Sequence, residues 1–79
     1  MRYHILYFAS LRDAAGCDRE SVDSDSREAG ALYAELQARH GFALPAERLR
    51  VAVNGEFARW EGLLTDGDEV AFLPPVSGG

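Results

Sequence analysis

The sequence predicts an α+β domain in which a mixed sheet of four to five strands carries one main helix on one face. Short segments with alternating apolar residues lie near both ends of the chain, as half-buried strands require. A longer segment between them has apolar residues at helical spacing. The 79 residues allow one domain, and Cys17 is the only cysteine. Packing rather than disulfide bonds must therefore stabilise the core.

The first strand is predicted over Arg2–Leu11, where apolar and mixed positions alternate. Its apolar face is expected to point into the core and consists of Tyr3, Ile5, Tyr7, Ala9 and Leu11. Asp13–Gly16 is typical of a loop, and Arg19–Asp23 is predicted as a short second strand. These two strands are expected to pair as a hairpin.

The main helix is predicted to begin at residue 27 or 28 and to end at His40. Its apolar stripe is Ala29, Leu32, Tyr33 and Leu36. Gly41 is the expected residue just beyond the end, because glycine adopts positive φ without steric cost. Two alternatives stay open for the start: a capping box of Asp25 with Glu28, or Ser26 as a single cap.

The second half of the chain is predicted to supply the remaining strands. In order, they and their connections are a turn at Ala43–Ala46, a strand at Leu49–Asn54, a hairpin turn at Asn54–Gly55, a strand at Glu56–Ala58, an irregular stretch at Arg59–Leu64, a turn at Thr65–Asp68 and a last strand at Asp68–Leu73. Asn-Gly is a strong signal for a two-residue hairpin. In the last strand, Val70 and Phe72 are expected to face the core.

A hairpin, a helix and a returning hairpin in this order predict a β-grasp domain, with the first and last strands parallel neighbours. Strand parity then places Leu6, Phe8, Ala71 and Leu73 together on the sheet face opposite the helix, and Phe57 is expected to join them. An exposed apolar patch of this kind is a candidate docking site.

The sequence ends on a short segment unlike the rest. Pro74 and Pro75 cannot extend a sheet ladder, and after Val76 and Ser77 come two glycines with no side chains. We therefore expect a domain at 1–73 and a flexible tail at 74–79. The Gly78–Gly79 end is narrow enough to thread a terminal carboxylate through a channel into a partner's active site.

Charge and composition narrow the class of function. The net charge of −5 argues against a nucleic-acid partner, which would require a basic surface. Neither a signal peptide nor an apolar run of membrane-spanning length is apparent, so we expect a cytoplasmic protein with no membrane partner.

The residues that often carry chemistry have simpler interpretations. Cys17 is expected to be an inert structural cysteine, and His4 and His40 are expected at the surface or a helix end because neither has metal-ligand spacing to other donors. The Asp23–Asp25 and Asp66–Asp68 pairs are typical of turns and caps. Trp60 is expected to cover part of the core, and the sequence has no Gly-rich phosphate loop and predicts no metal site.

Three segments resemble the ubiquitin-like MoaD/ThiS sulfur-carrier family, and they favour its MoaD branch. They are Leu6–Arg12, Val53–Gly55 and Leu64–Gly79. The resemblance covers the whole chain, and Leu64–Gly79 is the most specific segment, with Pro74–Ser77 favouring MoaD over ThiS. Phe72–Leu73 departs from the pair of aromatics that the family often has there.

The resemblance implies a sulfur-carrier subunit of molybdopterin synthase. An E1-like, MoeB-like enzyme would use ATP to adenylate the carboxylate of Gly79, and a donor enzyme would supply persulfide sulfur to make a thiocarboxylate. The chain itself would bind no cofactor. Its tail, including Gly78, would enter a MoaE-like large subunit and donate sulfur to cyclic pyranopterin monophosphate. The large subunit would carry the catalytic side chains, in a heterotetramer of two small and two large subunits.

The resemblance also implies residue roles. Phe8, Phe57 and Leu73 would contact the large subunit together with the tail residues 74–77, and Arg12 would pair with an acidic group on the activating enzyme. Two other readings stay open: a ThiS-like or ubiquitin-related sulfur carrier for another pathway, and a β-grasp interaction module whose tail is never activated.

Overall fold

The computed structural model describes residues 1–75, which form five strands, two α-helices and one 3₁₀ turn. In chain order these are β1 (Arg2–Tyr7), α1 (Ala9–Ala15), β2 (Arg19–Asp23), α2 (Ala29–His40), the 3₁₀ turn (Ala46–Arg48), β3 (Arg50–Val53), β4 (Glu56–Ala58) and β5 (Glu69–Leu73). The strand order across the sheet is β2-β1-β5-β3-β4. The predicted β-grasp arrangement is confirmed.

The two central strands, β1 and β5, are parallel neighbours, as predicted from the element order. Ile5 is opposite Val70 and Tyr7 is opposite Phe72, and all four side chains are almost completely buried. The remaining strand pairs are antiparallel. The C-terminal ends of β1 and β5 therefore lie at the same edge of the sheet, and Pro74 follows β5 at that edge.

The core lies between the sheet and α2. The predicted helical stripe is buried in full, at Ala29, Leu32, Tyr33 and Leu36. Trp60 is half-buried and stacks on Phe72 with ring centroids 6.1 Å apart, which confirms its predicted role as a partial cover. Gly41 ends α2 with a φ of 72°, as predicted.

The first strand is shorter than predicted, because β1 ends at Tyr7 and the chain turns into α1. Continuation to Leu11 would need a neighbouring strand, but β5 ends at Leu73 before two prolines that have no N–H to donate. Leu11 is buried as predicted, but it reaches the core from α1 and not from the sheet. Ala9 is exposed and has a φ of 50°. The loop predicted at Asp13–Gly16 is the end of this helix, closed by Gly16 in the left-handed conformation.

Neither predicted cap at the start of α2 forms. The cap position is Glu28, and the first two helical N–H groups donate to main-chain carbonyls, Ala29 to Gly62 at 3.2 Å and Gly30 to Trp60 at 2.9 Å. The irregular stretch around Trp60 thus supplies the acceptors that a helix start requires. A Cβ at Gly30 would lie 3.4 Å from the Trp60 carbonyl oxygen, which is an ordinary van der Waals contact, so this position has room for a methyl group.

The Asn54–Gly55 hairpin turn is confirmed, with φ values of 53° and 86°, as a type I′ turn requires. The Asn54 amide also donates to the Asp68 carboxylate at 3.0 Å. Asp68 in turn accepts the Thr65 N–H at 2.8 Å. The predicted turn role of the Asp66–Asp68 pair is therefore confirmed. Within residues 1–75, no helix is long and apolar enough to cross a membrane.

A largely buried polar cluster joins β1, β2 and the end of α2, and no local pattern in the sequence indicates it. The Glu20 carboxylate accepts a hydrogen bond from the Tyr7 hydroxyl and lies 2.7 Å from Nε2 of His40. His40 is at a helix end, as predicted, but its side chain is only 15% exposed. Burial raises the pKa of Glu20, but the hydrogen bonds from Tyr7 and His40 outweigh it, so the pKa lies below its usual value.

We expect this cluster to make stability depend on acid pH. The pKa of Glu20 is lower in the folded than in the unfolded chain. Its contribution to the free energy of unfolding is therefore fully present above its ordinary pKa of 4.5, and it is lost as the pH falls through the pKa of the folded state. Glu20→Gln should lower the free energy of unfolding by about 1.5–3 kcal/mol at pH 7. Between about pH 5 and pH 3, the free energy of unfolding of this variant should fall less steeply than that of the original chain. Urea titrations across this range would measure both effects.

The matched control is Glu61→Gln, whose carboxylate is 74% exposed in a surface pair with Arg59. A surface ion pair contributes about 0–1 kcal/mol to the free energy of unfolding. The dependence of that free energy on pH should therefore be the same in this variant as in the original chain. Equal losses in the two variants would contradict a special role for the buried cluster.

Candidate functional site

The sheet face opposite α2 carries a row of apolar side chains. The strand register places Leu6 opposite Ala71, Ala71 opposite Ala52, and Ala52 opposite Phe57, so the row crosses four strands without a break. We call these four residues the outer strip. Phe57 ends the strip on the edge strand β4 and is 69% exposed.

The predicted patch needs two corrections. Ala71 is only 9% exposed, because the larger Leu6 and the neighbouring strands flank its small side chain, so it lies at the floor of the strip. Phe8 is 42% exposed, as a docking residue should be, but it is the cap residue of α1 and not a strand residue. Leu63 is a further exposed apolar residue that strand parity did not predict: it is 78% exposed and pairs with Glu28 beside the start of α2.

A groove of about 390 Å³ lies at the edge of the sheet where β5 ends. Phe57 and Leu73 line it together with Pro74 and Pro75, the first two residues of the tail. The groove and the first two residues of the tail therefore form one surface.

The rim of the groove is charged. Arg48 and Arg50 line it beside Glu47, and the guanidinium carbon of Arg50 lies 5.4 Å from the ring centroid of Phe57. This distance is typical of a cation–π contact, and it holds the exposed ring against β3. Strand parity places Arg50 on the same face as Ala52. It does not apply to Arg48, which belongs to the 3₁₀ turn.

A second, larger hollow of about 610 Å³ is a poorer candidate. Met1, Asp23–Ser26 and Glu35 line it, so it lies at the opposite end of β1 from the tail. Ser24 and Ser26, which line it, both donate to the Glu35 carboxylate, at 2.6 Å and 3.2 Å. The groove that Pro74 and Pro75 line therefore remains the better candidate.

The remaining predicted site residues fall into two groups. The Arg12 side chain is 56% exposed on α1, with Asp13 3.9 Å away, and its role toward an activating enzyme stays a prediction. Val76, Ser77, Gly78 and Gly79 lie outside the described residues, so the predictions made for them concern the sequence alone.

Cys17 and the histidines show no catalytic arrangement among residues 1–75. Burial raises the pKa of the half-buried Cys17 thiol, and the nearby carboxylates of Glu20 and Asp18 raise it further, so the reactive thiolate is disfavoured. His4 is exposed beside Ser21. The described residues contain no group of three or more His, Cys, Asp or Glu side chains placed to hold a metal ion.

A β-grasp domain with an apolar groove beside the Pro74–Pro75 segment is typical of a ubiquitin-like protein. The model of the ThiS family matches residues 5–79, and the chain belongs to this family. Two curated relatives span nearly its full length, and both are named molybdopterin synthase sulfur carrier subunit. The one from Escherichia coli is 41% identical over 95% of this chain and 96% of its own. The one from Mycobacterium tuberculosis is 37% identical over 100% and 99%.

Solved structures agree on the fold. SAMP1 from Haloferax volcanii matches with a TM-score of 0.82 and 30% identity over 100% of both chains. A protein in the complex of subunits 1 and 2 of the molybdopterin-converting factor from Helicobacter pylori matches with a TM-score of 0.69 over 100% of both chains. At 24% identity, the latter shows that the fold occurs in a two-subunit assembly of that organism.

Proposed function

We propose that the chain is the sulfur-carrier subunit of a molybdopterin synthase. The observation that carries the proposal is the continuity between the groove and the tail: Phe57 and Leu73 form one surface with Pro74 and Pro75. A partner docked on that surface receives the following residues directly. The curated relatives that bear this name at 41% and 37% identity support the same function.

The proposed chemistry takes place at the carboxylate of Gly79. A carboxylate is a poor electrophile, so an E1-like enzyme first joins it to AMP from ATP, and pyrophosphate leaves. The outer sulfur of the donor enzyme's persulfide then attacks the acyl carbon, and AMP leaves, which gives an acyl disulfide. A thiol of the partner enzymes attacks the donor's own sulfur, a disulfide forms between those two sulfurs, and the thiocarboxylate is released. ATP binds to the activating enzyme, and this chain supplies the carboxylate and the means of presenting it.

The described residues have two proposed roles, which are to bind the large subunit and to restrict the direction of the tail. Phe57, Leu73 and Phe8 provide exposed apolar area for a large subunit that holds the catalytic side chains, in an assembly of two small and two large subunits. Pro74 and Pro75 have restricted φ angles, so they limit the directions in which the tail leaves the groove. Arg12, on the neighbouring helix α1, is available to pair with an acidic group of the activating enzyme.

A second candidate is a protein modifier, and one comparison favours it. SAMP1 from Haloferax volcanii, whose full name is small archaeal modifier protein 1, has the same fold at a TM-score of 0.82. A modifier would join the same activated carboxylate to an amine of a target protein. The two functions therefore share activation and differ in the acceptor.

Intact-mass measurement tests the proposal. The chain is incubated with a MoeB-like activating enzyme, ATP and a sulfur donor, and its mass should rise by the difference between sulfur and oxygen. The thiocarboxylated chain should then convert cyclic pyranopterin monophosphate to molybdopterin when a MoaE-like subunit is added. A chain with Gly79 amidated is the control, since it has no carboxylate. An unchanged mass, or sulfur loading without molybdopterin formation, would contradict the proposal.

A further inference from the structure

Every cationic side chain of this protein is an arginine. The sequence has eight Lys-plus-Arg positions, and all eight are Arg, so each positive side chain is a guanidinium and none is a primary amine. Several of them are well exposed: the side chains of Arg12, Arg39 and Arg59 are 56%, 46% and 87% accessible. Lysines at these positions would present amines to any other molecule in solution.

This choice matters for a protein whose carboxylate becomes an acyl adenylate. A neutral amine attacks such an acyl carbon, the new C–N bond forms, AMP leaves and the amine proton passes to solvent. Lysine performs this attack because its amine can lose its proton, whereas the guanidinium stays protonated, with a pKa above about 12. Exposed arginines therefore supply positive charge without an acyl acceptor.

The structure restrains the two other strong nucleophiles of the described residues. The α-amine of Met1 donates to the Ser24 carbonyl at 2.9 Å, and the Ser24 N–H donates back to the Met1 carbonyl at 2.8 Å, so the amine is held on the end of β2. The Cys17 thiol is half-buried, and burial together with its acidic neighbours raises its pKa, which disfavours the reactive thiolate.

We propose, on the basis of the sulfur-carrier function, that this chain has a surface that does not accept its own activated carboxylate. An adenylate formed on one copy then finds no competing acceptor on neighbouring copies, even where the carrier is concentrated at its activating enzyme. The acyl group is left for sulfur, and amide-linked dimers and chains of the carrier do not form.

The test restores an amine where the structure shows that it would be accessible. Arg39→Lys and Arg59→Lys, singly and together, keep the positive charge at exposed positions outside the outer strip and the groove. Each chain is prepared with a C-terminal thioester by intein cleavage, which activates the carboxylate without any enzyme, and is incubated at mildly alkaline pH. The product of self-acylation is heavier by nearly one chain, about 8.6 kDa, and it survives thiol treatment because it is an amide.

We expect this heavier species from the lysine variants and none from the original chain. An amide dimer of the original chain in the same yield, through Met1 or any other group, would overturn the inference. So would variants that form no dimer, since lysine would then not be the missing acceptor. Cys17→Ser in the original background should change nothing.

A parallel incubation with the activating enzyme and ATP, without a sulfur donor, separates this inference from the proposed function. If the enzyme does not adenylate the chain while the thioester experiment behaves as expected, the sulfur-carrier function fails and the surface property stands. If adenylation occurs and the original chain forms amide dimers, the surface property fails and the function stands.

Discussion

Deleting Gly79 is expected to abolish sulfur transfer while leaving the domain folded. The proposed reacting group is the terminal carboxylate, and one residue of extended chain moves it by about 3.3 Å. A misplacement of about 1 Å can cost roughly a hundredfold in rate, so the loss should be complete within detection. The groove contacts of Pro74 and Pro75 are unaffected, so binding to the large subunit should persist.

A single glycine appended after Gly79 is the matched variant, because it keeps every native residue and only shifts the carboxylate outward. It should be as inactive as the deletion. Molybdopterin formation and thermal melting would be measured on the same preparations, and both melting temperatures should equal that of the original chain. Retained activity in either variant would show that no channel sets the reach of the tail.

Phe57→Ala and Phe72→Ala are expected to separate docking from folding. Phe72 is completely buried and packs on Tyr33 with ring centroids 5.2 Å apart, so its truncation should cost about 3–5 kcal/mol of stability. Phe57 is 69% exposed, and its main partner in the free domain is Arg50, worth about 0.5–1 kcal/mol. Its truncation should leave melting nearly unchanged.

The affinities should show the opposite order. An aromatic anchor at the centre of an interface costs about 2 kcal/mol or more when truncated, which is roughly a thirtyfold loss of affinity. Calorimetric titration of Phe57→Ala against the large subunit would measure it, with Leu73→Ala and Phe8→Ala as further members of the docking set. If Phe57→Ala binds normally, the groove is not the docking surface. If it unfolds the domain as Phe72→Ala does, the assignment of the two sheet faces is wrong.

The core could be predicted from the sequence because two simple periods describe it. Alternation in β1 and β5 correctly assigned Tyr7 and Phe72 to the core, since neighbouring residues of a strand point to opposite faces. The spacing of Leu32 and Leu36 likewise identified the buried side of α2. The Asn54–Gly55 turn was predictable for a different reason, because few other pairs adopt positive φ at both positions.

Alternation failed where a strand needs a partner as well as a pattern. The residues from Phe8 to Leu11 continue the alternation of β1, but the chain forms α1 there because β5 ends before Pro74. The same limit applies to the site: Ala71 has the right parity for the outer face, yet its small side chain is hidden by neighbours that only the assembled sheet brings together. The exposed fraction of a side chain depends on the residues that pack around it, and the parity of its position in a strand does not predict those.

Local periodicity and residue type were enough to predict the order of the strands and of α2, the two buried faces, the family resemblance and the chemical character of residues 74–79, although they missed α1 and the 3₁₀ turn. Which distant groups meet follows from the assembled fold. It brought Glu20 to Tyr7 and His40, and it placed Arg50 over Phe57 at the root of the tail. These contacts join different elements, and their distances follow from how the sheet and helices pack, which no local pattern in the chain specifies.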